Sequence, residues 1–224
     1  MRRTLRLTRA LVDKIPATIP DPGPVPEIAD LQTDEARARM TAKVLASRPE
    51  PDSFWVFAFG SLIWNPDFPY AEQRRARVPG WQRSFCMGPD RRYRGNPENP
   101  GIMLSLDTGG SCEGVVFRLS EATLATDLAS LIAREPPLDP EWVTAETEDG
   151  TLKALAFVNK PGWIGYVSGM TAPEIAAQIA PAVGMFGSMA DYVHNTAMHL
   201  HDLGIDDPTV WQMQDLVAQE LERL

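Results

Sequence analysis

Leu124, Leu128, Leu131 and Glu135 recur at spacings of 4, 3 and 4, which places a carboxylate on the apolar stripe of one helix. A carboxyl drawn out of water resists ionising. Glu135 also falls in the helix's last turn, just before Pro136-Pro137, where the helix dipole disfavours negative charge. Both effects raise its pKa toward the range useful to a general base. The alternative is a helix-end glutamate turned outward or paired with Arg134.

A second feature is "FWVFAFGSLIW" at 54–64, an apolar run broken by Gly60-Ser61-Leu62. A strand that stops there directs successive backbone N–H groups toward one point, a nest for a carboxylate or a polarised carbonyl oxygen. A plain turn is the alternative. A serine nucleophile at Ser61 fits poorly, because the elbow G-x-S-x-G needs glycine at 59 and 63, which are Phe59 and Ile63. His194, His199 and His201 share one predicted helix, but no i,i+4 pair exists and His194 and His199 diverge by about 140°. The pattern predicts no metal site and no histidine triad.

Arginines cluster between 74 and 94, at 74, 75, 77, 83, 91, 92 and 94, against the single acid Asp90. They read as a solvated face that offsets an acidic chain, or as a wall for a small anionic ligand. The net charge of −9 argues against nucleic acid as a partner. No apolar run reaches the ~20 residues of a membrane helix, so no membrane partner is expected. The Arg-rich opening "MRRTLRLTRALVDKI" reads as a short surface helix, with an organelle transit peptide as the alternative. Two cysteines, Cys86 and Cys112, form neither a disulfide framework nor a metal spacing, which suits a reducing cytoplasm.

The elements that must position these groups follow from the punctuation. "PATIPDPGPVP" at 16–26 is an extended linker, and a helix capped by Thr33 runs to about Ser47. Residues 1–52 read as an arm on a main domain at 53–224. Within that domain, strands are expected at 54–59, 81–87, 101–106 and 112–119, then a helix from Ser120 to about Glu135. Asp149-Gly150 marks a hairpin, and capping signals at Thr171, Ser188 and Asp207-Pro208 open three later helices. Strands first and helices later indicate an α+β fold around a small mixed, mostly antiparallel β-barrel-like core.

Taken together, "WVFAFGSLIWNPDFPY", "VPGWQRSFCM", "NPENPGIMLSL", "EGVVFRL", "LIARE" and "GMFGSMADYVHNTAMHLHDLGI" resemble, in this order, the ChaC family of γ-glutamylcyclotransferases. The resemblance implies a compact β-barrel-like core flanked by helices and intramolecular cleavage of glutathione to 5-oxoproline and cysteinylglycine. It implies Glu135 as the catalytic glutamate, Phe59, Gly60, Ser61 and Leu62 as the substrate loop, and Tyr192 near the pocket. Phe59 stands where the family has tyrosine, and "PPLDPEW" after Glu135 departs from the family's usual stretch. An arginine of the 83–94 region is expected on the ligand's distal carboxylate, with Arg83 and Arg94 the candidates. Two other function classes are a non-catalytic γ-glutamyl ligand sensor and a Ser61 amidohydrolase. Glu135 counts against the first, and the second lacks a base.

Overall fold

The structure, a computed structural model, describes residues 4–224. In chain order the elements are α1 (Arg9–Val12), α2 (Asp34–Ala46), β1 (Trp55–Ala58), α3 (Ser61–Trp64), β2 (Glu72–Asp90), β3 (Gly101–Arg118), α4 (Leu124–Arg134), β4 (Pro140–Thr147), β5 (Gly150–Phe157), α5 (Ala172–Ile179), β6 (Val183–Gly184), β7 (Gly187–Ser188), α6 (Met189–Asp202) and α7 (Pro208–Glu222). They form two compact units. One holds residues 25–83 and 106–159; the other holds, of the described residues, 4–24, 84–105 and 160–224.

The five long strands close a barrel in the order β1-β3-β2-β4-β5. β1 pairs antiparallel with β3 and parallel with β5, so the barrel is mixed but mainly antiparallel, as the sequence leads one to expect. Its interior, in the first unit, follows the strand period of two: Trp55 and Phe57 from β1 meet Val116, Val143, Ala154 and Ala156. All four residues of β1 are buried, which explains why that strand reads as an unbroken apolar run. β2 and β3 are each one long strand where the sequence suggests shorter pieces. Gly80, Gly109 and Gly110 take positive φ inside them, so each strand bends without ending.

α2 starts where Thr33 accepts from the Ala36 amide, and it packs on α4. α4 buries Leu124, Leu128 and Leu131, the expected stripe, but it starts at Leu124 rather than Ser120.

In the second unit, α7 packs on α5 and α6, and the short α1 on α6 and α7. The capping signals hold: Thr171 and Glu174 complete a capping box, Ser188 accepts from Asp191, and Asp207 from Val210. The opening segment does more than lie on the surface. Leu7 is fully buried, and the Arg6 and Leu7 amides both donate to Gln214 Oε1. No helix among the described residues is long and apolar enough to cross a membrane.

Candidate active site

Three segments reach one end of the barrel, and strand register shows why. β1 and β5 run parallel with Trp55 opposite Ala154 and Val56 opposite Leu155, so both finish at the same end. The loop beginning at Phe59 follows β1 there, and Phe157 closes β5 there. β4 runs antiparallel to β5 with Pro140 opposite Phe157, so the stretch Glu135–Asp139 enters β4 at that end too.

Glu135 is the residue immediately after α4, with extended backbone (φ −73°, ψ 153°) and its amide still bonded to Leu131 O at 3.0 Å. Its position is thus one step past the last helical turn, where Pro136 prevents the helix from continuing. Only 15% of the side chain is exposed. Burial pushes its carboxyl up from 4.5 to about 7, against the opposing pull of Arg134, whose Nε lies 3.8 Å from Oε1. That distance is long for a hydrogen bond, so the cation only moderates the cost of burial. Glu135 lines a cavity of about 240 Å³ together with Ile132, Leu138 and Phe157 on one side and α2 on the other.

The loop is shaped by a buried arginine. Arg83, 4% exposed, donates from Nε to Phe59 O at 2.7 Å and from Nη2 to Glu113 O at 2.6 Å. Gly60 precedes the single turn of α3, and Ile63 donates back to Gly60 O at 3.0 Å. First-turn amides such as those of Ser61 and Leu62 have no earlier carbonyl within their helix. The Phe59 ring packs on the barrel core. Gly114 allows β3 to approach: a Cβ there would lie 2.3 Å from Ala58 O.

Arg94 and Tyr192 belong to the other unit, where the Arg94 guanidinium sits 5.7 Å from the Tyr192 ring centroid and 3.8 Å from Asp191. Most arginines of the cluster have acidic partners. Arg74 pairs with Glu72 and Asp149, Arg75 with Glu113, Arg77 with Glu146 and Arg92 with Asp21. The histidines turn Nδ1 to backbone carbonyls, His194 to Leu7 and His199 to Asn195. Sequence reasoning missed Phe157 and the face of α2 that lines the Glu135 cavity. The signal for the second was available in Ala36, Met40 and Lys43, spaced as one helical stripe.

The family model for ChaC-like proteins matches residues 54–220. The chain belongs to the ChaC family. It is similar to the Escherichia coli (strain K12) glutathione-specific gamma-glutamylcyclotransferase, 37% identical over 181 residues that cover 79% of this chain and 78% of the other. The human glutathione-specific gamma-glutamylcyclotransferase 1 is 34% identical over 152 residues, covering 64% and 68%. Among solved structures, the selenomethionine-labelled glutathione-specific cyclotransferase from yeast superposes with a TM-score of 0.71. That match covers 75% of this chain and 96% of the other at 19% identity, a likeness of fold. For this ChaC-family chain, the matched span includes the loop, Glu135 and Tyr192, and begins after α2.

Proposed function

We propose that the protein is a γ-glutamylcyclotransferase that cleaves glutathione to 5-oxoproline and cysteinylglycine. The observation that carries this reading is Glu135, a carboxyl raised to about 7 on the wall of a cavity. A group with that pKa can both take and return a proton near neutral pH. The substrate's own α-amine attacks the γ-carbonyl carbon and closes a five-membered ring. The bond between that carbon and the cysteinyl nitrogen breaks, and no water is consumed. Nucleophile and electrophile share one molecule, so orientation replaces a covalent enzyme intermediate. The amine attacks in its neutral form; as the ring closes its nitrogen sheds one proton, which Glu135 accepts and delivers to the departing nitrogen.

The loop of Phe59, Gly60, Ser61 and Leu62 holds the γ-glutamyl group through its amides, which also offset charge growing on the carbonyl oxygen. Arg83 serves the reaction by fixing that loop through Phe59 O. Tyr192 is retained as a substrate contact through the family resemblance, and Arg94 as a cation of the 83–94 arginine cluster. The chemistry asks for no metal or cofactor. The same proton path would serve other γ-glutamyl peptides or amines, so the preferred substrate is part of the proposal. A cytoplasmic setting is supported by two cysteines, Cys86 and Cys112, that are both buried and unpaired by disulfide.

The test is product identity. Glutathione should yield 5-oxoproline and cysteinylglycine, while N-acetylated glutathione, lacking the free amine, should stay intact. Enzyme-dependent glutamate without 5-oxoproline would point to hydrolysis at Ser61. Binding with neither product would point to a sensor.

A further inference from the structure

We infer that α2 supplies the subsite for a distal carboxylate of the substrate, through Arg39, with Arg37 at the other edge of the same helical stripe; the inference rests on the cyclotransferase reading. The cavity that Glu135 lines is walled on its far side by α2, which contributes Ala36, Arg37, Arg39, Met40 and Lys43. The proton-transferring group and the cations of α2 therefore line one cavity. These cations differ in how far they are already engaged. Lys43 is bound to Asp139 at 2.8 Å, and Arg37 faces Asp34 at 3.5 Å within its own helix, at the outer limit of a hydrogen bond. Arg39 has no hydrogen-bond or ion-pair partner among the described residues.

A guanidinium presents a planar fork that matches a carboxylate in a bidentate pair. Glutathione has two carboxylates. The one on the γ-glutamyl residue lies next to the reacting amine, and the glycyl one lies at the far end of the molecule. With the reacting end at Glu135, the glycyl carboxylate is the one that can extend toward α2.

Arg83 is already held by two backbone carbonyls beneath the loop, which leaves α2 as the cationic wall of this cavity. α2 also precedes residue 54, where the family match begins. The subsite selects among γ-glutamyl compounds rather than performing chemistry.

The test compares glutathione with its glycyl amide, which keeps the γ-glutamyl group and loses only the far charge. The readout is the ratio of kcat/KM for the two substrates, measured by 5-oxoproline release from the full chain. The wild-type protein should prefer glutathione. In Arg37→Gln/Arg39→Gln the ratio should fall roughly tenfold or more, the loss of about one charge-assisted pair. The fall should come from KM, and Arg37→Lys/Arg39→Lys should restore part of it. An unchanged ratio in the glutamine double variant, with wild-type turnover intact, overturns the subsite alone. Loss of the preference in Arg94→Gln, and not in the α2 variants, overturns it in favour of Arg94. Wild-type protein that makes no 5-oxoproline from either substrate refutes the cyclotransferase reading, and the subsite with it.

Discussion

Replacing Glu135 by glutamine keeps the side chain's volume and removes its titration, which makes the cost of burying this carboxyl measurable. The group holds its proton with a pKa of about 7 in the folded protein against 4.5 in its ordinary setting. At about 1.4 kcal/mol for each tenfold in proton affinity, the difference is about 3 kcal/mol. The direction follows from which state keeps the proton. Below pH 4.5 the carboxyl is neutral folded or unfolded, and its contribution to stability is fully present. As the pH rises toward about 7, the unfolded chain releases the proton while the folded chain retains it, so stability falls; above about 7 the loss is complete. Glutamine has no such loss. Urea denaturation at pH 5 and pH 8.5 should therefore show Glu135→Gln gaining on the wild-type protein by about 2–3 kcal/mol between the two. The same variant should bind glutathione and form no 5-oxoproline. In the wild-type protein, kcat/KM should climb with pH through an apparent pKa of about 7, the free enzyme's base losing its proton. A stability difference that is flat with pH would refute the buried-carboxyl argument. Near wild-type turnover in the variant would refute the assignment of Glu135 as the acid and base.

Three other substitutions probe what shapes the site and anchors the arm. Arg83→Met should cost on the order of 3 kcal/mol, because two buried carbonyls lose charged donors, and kcat/KM should drop as the Phe59–Leu62 loop loosens; denaturation and product assays read both. Gly114→Ala puts a methyl 2.3 Å from Ala58 O, so β1 must move away from β3, and activity should fall more than the melting temperature suggests. Leu7→Ala, at a fully buried position, should cost about 2–5 kcal/mol in thermal or urea unfolding without changing the pH dependence of turnover.

Much of the helical part was legible because its signals are local. Thr33, Thr171, Ser188 and Asp207 each mark a helix start through contacts within four residues. Glu135 was legible for the same reason, since three leucines on the helix that ends just before it fix the buried stripe. The long strands were harder. Gly80 and Asp107-Thr108-Gly109-Gly110 carry the composition of turns, yet the chain bends there and keeps its partners on the barrel. Closure through the parallel β1–β5 pair joins residues about a hundred positions apart, so no local pattern announces it. The arginine cluster misleads in another way: side-chain chemistry suggests an anion wall, while cross-strand acids such as Glu113 and Glu146 engage much of it. The cationic face above Glu135 was hidden because α2 and α4 meet only through tertiary packing.

The bonds from the opening segment to α7 bear on the order in which a ribosome delivers the chain. Arg6 and Leu7 leave the ribosome early, yet their acceptor Gln214 follows 208 and 207 residues later, and Lys14 waits for Leu221 O, 207 residues on. The barrel unit, by contrast, has all its residues once Asn159 has emerged. During synthesis the barrel can therefore close while Leu7 still lacks its cover, and a nascent chain stalled in α7 would present that leucine to chaperones and proteases.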